Sequence, residues 1–169
     1  MAKIIYISGG QKSGKTTFAQ DMALRLSNNP VYLATSRVWD EDHKKRIERH
    51  QADRGSEWTN IEEEKYLSKH ILNGKTVLVD CITLWMTNFF FDNEQDVDKS
   101  IDEAQKELTN LFKQDATFIV VSNEIGMGGS PADKMAFRFT DMLGLMNQFI
   151  AKQADEVYLT VSGIPVKIK

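Results

Sequence analysis

The sequence predicts an α/β fold in three layers, with a mostly parallel sheet between helices and an antiparallel hairpin at the C-terminal end. Three observations carry that expectation. Apolar runs alternate with helical patterns along the chain, as parallel strands joined by crossover helices require. The first run, Ile4-Ile5-Tyr6-Ile7, leads directly into Gly9-Gly10-Gln11-Lys12-Ser13-Gly14-Lys15-Thr16, which matches G-x-x-x-x-G-K-[ST] between a strand and a credible helix. The end alternates from Glu156 to Ser162, turns at Gly163-Ile164-Pro165 and closes on Val166-Lys167-Ile168-Lys169. Together these describe a P-loop NTPase-like fold.

In chain order, strands are expected at 3–8, 31–35, 76–80, 117–122 and 156–162, followed by the closing strand at 166–169. Helices are expected at 15–27, 40–53, 61–72, 82–91, 98–114 and 131–152. Ser130-Pro131 marks the start of the last helix, since a Ser cap followed by Pro in the first turn satisfies or removes unpaired donors. The run Leu84 to Phe91 reads either as a core helix or as an apolar surface for a subunit or large ligand. No repeat, low-complexity tract or linker interrupts the pattern, and with 169 residues and 41% hydrophobic content the expectation is one domain, 1–169.

Composition narrows the function. A formal charge of −3 argues against a general nucleic-acid binder, whose footprint is basic. Cys81 is the single cysteine, which leaves no intrachain disulfide and no cysteine-based zinc site and suits a reducing compartment. No stretch approaches the roughly 20 apolar residues of a membrane span, and the start lacks a signal core. The expected protein is soluble and cytoplasmic.

The loop at Gly9 to Thr16 makes a nucleoside triphosphate the default ligand. Gly9, Gly10 and Gly14 are expected to take positive φ and let the backbone approach the phosphates. Backbone amides and the positive end of the next helix then face anionic oxygens, with Lys15 beside the β and γ phosphates and the Thr16 hydroxyl on Mg²⁺. Thr76-Val77-Leu78-Val79-Asp80 ends in an acid at the carboxyl end of a strand, which makes Asp80 the second candidate for Mg²⁺. Two further strand ends, Ala34-Thr35-Ser36 and Ser122 to Gly129, should flank the phosphates. Gly126, Gly128 and Gly129 in the second imply either close approach or an ordinary flexible connection.

The segment Trp39 to Gly55 carries unusual chemistry. At 100° per residue, His43, Ile47, His50 and Arg54 share one helical face, with Arg46 at its edge. One reading is a solvated charged face. The other is catalytic: two guanidiniums hold a polyphosphate and disfavour protonation of the ring, so that neutral His50 attacks the α-phosphorus and expels pyrophosphate.

The loop, Ala34-Thr35-Ser36, Arg46-Ile47-Glu48-Arg49-His50, Asp80-Cys81-Ile82-Thr83, Asn123 to Gly128 and Val161 to Lys169 occur in an order and spacing that resembles the bifunctional adenosylcobinamide kinase and adenosylcobinamide-phosphate guanylyltransferase family of cobalamin synthesis. The resemblance runs from end to end. It implies phosphorylation of a corrinoid, adenosylcobinamide, and then GMP transfer from GTP through a guanylylated histidine, a position held here by His50. It also implies guanine-nucleotide contacts at Ala34, Thr35, Ser36, Gln51, Ala52, Asp53, Arg54, Glu62 and Leu84, and a homotrimer. Some relatives carry Glu where this chain has Asp80, which leaves the charge intact and opens the contact to water. Either ATP or GTP would serve the kinase step, and Asp80 and Glu124 both stand as bases for the substrate hydroxyl. Two rival readings are a simple kinase without a covalent histidine and a GTP-dependent switch, against which the chain shows no Asn-Lys-x-Asp motif.

Overall fold

The computed structural model describes residues 1–52 and 54–169; the side chains at 43, 46 and 49–51 also lie outside the described residues. An interior strand of the sheet is β1 (Lys3–Gly9), whose side chains are buried on both faces from Ile4 onward. That explains its unbroken apolar sequence, since a parallel strand covered by helices on both sides has no solvent face. The other strands are β2 (Val31–Ala34), β3 (Thr59–Glu62), β4 (Thr76–Asp80), β5 (Thr117–Asn123), β6 (Glu156–Val161) and β7 (Ile164–Lys167). Their order is β3-β2-β4-β5-β1-β6-β7, every neighbouring pair is parallel except β6 and β7, and these two form the expected hairpin.

Period-two alternation divides the core into two layers. Ile5, Ile7, Tyr32, Leu78, Ile119 and Val121 point to the side covered by Ala19 and Ala23 of α1 (Lys15–Leu26). Ile4, Tyr6, Leu33, Val79, Phe118 and Val120 point to the other side. There they meet α3 (Ile82–Asp92), α4 (Val97–Leu111) and α5 (Lys134–Gln153). The run Leu84 to Phe91 is mainly core: Trp85, Met86, Phe89 and Phe90 are buried, whereas Phe91 is exposed and meets Trp39 edge to face. The remaining helix, α2 (Glu41–Ala52), has no buried residue among its described side chains.

Two expectations are corrected. The helix expected at 61–72 is the end of edge strand β3 followed by a single 3-10 turn, Leu67–Lys69. Glu63 turns the chain there: its carboxylate accepts the amides of Lys65 at 3.1 Å and Tyr66 at 2.9 Å, giving the backbone local partners that compete with a helix. Burial opposes ionisation of Glu63, but those amides and Lys69 win and hold its pKa down at about 2. The last helix begins at Lys134, because Asp133, not Ser130, caps it by accepting the Ala136 amide at 2.7 Å. Among the described residues no helix is long and apolar enough to cross a membrane.

Candidate nucleotide site

The carboxyl ends of β1, β4 and β5 open onto one side of the sheet, and the loop between β1 and α1 lies there. Its geometry differs from expectation in one respect. Gly14 has φ +90°, but Gly9 and Gly10 do not occupy the left-handed region; Lys12, with φ 57°, takes the second such position. Gly9 is required by space instead: a Cβ there would meet the Thr160 carbonyl oxygen at 2.8 Å. Gly14 is required twice over, because a Cβ would also come within 2.9 Å of Gly163 Cα in the hairpin turn. The hairpin supports the loop further through the Gly163 amide, which donates to Ser13 O at 2.8 Å. C-terminal turn and phosphate loop are thus one packed unit.

Lys15 opens α1 and is buried, with Nζ donating to Gly10 O at 3.0 Å across the loop. Burial lowers its pKa, and the nearby Asp80 carboxylate works in the opposite direction. A cavity of about 500 Å³ is lined by Lys12, Ser13, Gly14, Lys15, Thr16, Thr17, Gln20, Arg54 and Asp80. The loop's cations and Thr16, Arg54, and Asp80 therefore line one space from three parts of the chain. Ser13 Oγ is buried there without a hydrogen-bond partner among the described residues. Hydroxyl and carboxylate are the hard oxygen donors that Mg²⁺ takes, so the set fits that ion. Among the described residues no cluster of three or more His, Cys, Asp or Glu could hold a metal.

Arg54 reaches this cavity by an unexpected route. Because α2 ends at Ala52, the helical face drawn through His43, Ile47 and His50 does not extend to Arg54. Beyond the helix, its guanidinium lies 3.6 Å from the centre of the Tyr32 ring. Tyr32 in turn donates its hydroxyl to Asp80 Oδ2. Burial first, and then the Asp80 charge, push the phenol's pKa well above its ordinary value, so the hydroxyl remains a donor. Sequence reasoning missed Tyr32, Thr17 and Gln20. Tyr32 was legible only through strand register: it shares a sheet face with Asp80 on the neighbouring strand.

The other expected contacts lie around this cavity and do not line it. Ala34 pairs with Asp80 across β2 and β4, and Glu62 pairs with Ala34 across β3 and β2. Thr35 is fully buried, and its hydroxyl donates to Cys81 O at 2.8 Å, so its side chain joins strand ends together. Ser36 Oγ donates to Arg37 O at 3.4 Å. Leu84 is half-buried against the core on the α1 side. Gly9, Gly10 and Gln11 belong to the loop but not to the cavity wall. Burial, followed by the Asp80 charge, pushes the Cys81 thiol up to about 12, which removes it as a nucleophile near neutral pH. Glu124 sits at the loop's rim, its amide donating to Gly9 O at 2.9 Å and its carboxylate accepting the Gly126 amide at 2.9 Å. The expected roles of His50, Arg46 and Gln51 depend on side chains, and that of Asp53 on a residue, that lie outside the described residues.

A family model described as cobinamide kinase / cobinamide phosphate guanyltransferase matches residues 5–168. The bifunctional adenosylcobalamin biosynthesis protein CobU of Escherichia coli (strain K12) is 35% identical over 181 residues, covering 98% of this chain and 99% of that protein. The bifunctional adenosylcobalamin biosynthesis protein CobP of Pseudomonas aeruginosa is 34% identical over 168 residues, covering 96% and 95%. Among solved structures, the flagellar accessory protein FlaH from Methanocaldococcus jannaschii aligns over 99% of this chain and 78% of its own, with 15% identity and a TM-score of 0.46.

Proposed function

This chain belongs to the cobinamide kinase / cobinamide phosphate guanyltransferase family, and from that premise we propose that it phosphorylates adenosylcobinamide and then transfers GMP from GTP to the product through His50. The observation that carries the reading is the convergence of Lys15, Thr16, Arg54 and Asp80 on one cavity, with His50 only four residues before Arg54. Four residues of chain span at most about 14 Å, so any triphosphate held by the loop and Arg54 lies near the helix that carries the histidine.

In the kinase step, Lys15 and the loop amides hold the β and γ phosphates while the corrinoid hydroxyl attacks the γ-phosphorus and the nucleoside diphosphate departs. ATP or GTP serves this step. Asp80 and Glu124 are the alternative bases for the hydroxyl proton. In the second step, a ring nitrogen of neutral His50 attacks the α-phosphorus of GTP; the P–N bond forms as the bond to pyrophosphate breaks. Arg46 and Arg54 neutralise the departing charge. A phosphate oxygen of adenosylcobinamide phosphate then attacks the same phosphorus, His50 leaves, and adenosyl-GDP-cobinamide is formed. Thr16 and Asp80 would hold Mg²⁺, which supplies charge neutralisation on the phosphates. Guanine-nucleotide contacts from Ala34, Thr35, Ser36, Gln51, Ala52, Asp53, Glu62 and Leu84 complete the reading.

One domain spanning 1–169 performs both steps, as a homotrimer in the cytoplasm; a buried free thiol, Cys81, is compatible with that compartment. Incubation with Mg²⁺ and GTP labelled at the α-phosphate, followed by denaturation, tests the covalent step. The expected adduct is acid-labile, base-stable and absent from His50→Ala. An unlabelled wild-type protein that still phosphorylates adenosylcobinamide would leave a plain kinase. Sedimentation analysis checks the trimer.

A further inference from the structure

Tyr32 joins two groups that come from different parts of the chain. In the parallel pairing of β2 with β4, Tyr32 is opposite Leu78 and Ala34 opposite Asp80. Tyr32 and Asp80 therefore point to the same face, one pleat apart on adjacent strands, within reach of a long side chain. The phenol spans that diagonal and bonds Asp80 Oδ2. One ring face carries the Arg54 guanidinium, and Trp58 meets the ring edge to face with centroids 5.6 Å apart. Tyr32 is only 3% exposed, so both contacts are made inside the protein. Arg54 Nε is buried and has no hydrogen-bond partner among the described residues, although Arg54 itself lines the cavity.

A ring that only filled space between β2 and α1 would require neither a hydroxyl at the acid nor a cation on its face. Both features instead serve the cavity. The donated hydrogen bond fixes the rotation of the carboxylate, as outer partners of metal-binding carboxylates do. The stacking holds a long cationic side chain in one place, lowering the entropy lost when it meets an anion. We propose that Tyr32 is a positioning residue of the phosphate site, its hydroxyl orienting Asp80 and its ring face holding Arg54. This rests on the reading above in which Asp80 holds the metal and Arg54 neutralises phosphate.

The test compares Tyr32→Phe, Tyr32→Leu and Asp80→Asn with wild type. Each protein is titrated calorimetrically with GTP carrying a methylene group in place of the α,β-bridging oxygen, first in EDTA and then across a range of Mg²⁺ concentrations. Tyr32→Phe keeps the ring and loses the hydroxyl. It is expected to bind the analogue normally in EDTA but to need about tenfold more Mg²⁺ for the metal-dependent gain in affinity. Tyr32→Leu should show the same Mg²⁺ shift and, having lost the platform for Arg54, should bind about fivefold more weakly in EDTA as well. Asp80→Asn should lose the metal-dependent gain. If Asp80→Asn loses that gain while Tyr32→Phe matches wild type, the role of Tyr32 is wrong and the metal role of Asp80 stands. If Asp80→Asn keeps the gain, the metal role is wrong and the proposal falls with it. Equal weakening of Tyr32→Phe with and without Mg²⁺ would make the hydroxyl a stability element and would also overturn the proposal.

Discussion

The phosphate loop and the segment from Arg37 to Arg54 both carry residues of the proposed site, yet they are built on different physics. The loop is held by covalent geometry and packing: a left-handed Gly14 against Gly163, a buried Lys15 bonded across the loop, and a hairpin turn donating to Ser13. The Arg37–Arg54 segment exposes Glu41, Asp42, Lys44, Lys45, Glu48 and Ala52 to solvent. Among its described residues, its ties to the sheet and to α3 are concentrated at the ends. Arg37 binds Glu64 through Nε at 2.7 Å and Asp92 through both terminal nitrogens at 2.8 and 3.0 Å, and Arg54 stacks on Tyr32. The contrast separates two tasks. A phosphate cradle benefits from rigid preorganisation, whereas the helix assigned the proposed nucleophile is attached by charges and rings at its ends.

The largest effects should come from the rigid side. Lys15→Ala removes the buried cation and should lower kcat/KM by about 10² to 10³ in both the kinase and the guanylyl-transfer steps, measured in separate assays for each product. Loss in only one step would mean that the two reactions use different phosphate sites. Gly14→Ala places a Cβ at φ +90° against Gly163. It should cost about 2 kcal/mol of folding stability, visible in denaturant unfolding, and weaken nucleotide binding in proportion. A Gly14→Ala protein with wild-type stability would show that the hairpin turn yields and that the loop is less rigid than its packing implies.

How much of this contrast was legible follows the same division. The phosphate loop, β4 ending in Asp80, and the terminal hairpin could be read because their signals are local: glycine chemistry, apolar runs and alternation. Even there, packing altered the reasons, since Gly9 is required by the Thr160 carbonyl and not by its own φ. Elements decided by distant partners were misread. Ile61 to Leu72 looked helical, but Glu62 pairs with Ala34 in a parallel edge strand and Glu63 then caps a turn. Arg54 looked like the last residue of a helical face and instead belongs to the Tyr32 ring. Tyr32 went unnoticed, because only the pairing of β2 with β4 reveals that it reaches Asp80. The family resemblance named candidate residues, but the arrangement of those the structure describes depends on strand register that no single segment contains.

The smallest predicted effect tests the electrostatic side. Arg37→Met keeps a long apolar stem but removes the bonds to Asp92 and Glu64 and the cation 5.4 Å from the Trp39 ring. Because the pairs are partly exposed and solvent screens them, the loss should be only about 1 kcal/mol at low salt. The bond from Arg37, opposed by burial and aided by Lys65, holds the Asp92 pKa down at about 2. A depressed carboxylate stabilises the fold fully above its ordinary pKa near 4 and loses that contribution as pH falls towards 2. The gap in thermal midpoint between wild type and Arg37→Met should therefore be widest near neutral pH and narrow on acidification from pH 5 to 2. It should also shrink in about 1 M salt. Metal-nucleotide binding at the loop should stay within about twofold of wild type, since distant sites contribute independently, while guanylyl transfer falls further. A gap indifferent to both salt and pH would assign the tether to packing of Trp39 on Phe91 and remove the distinction between the two regions.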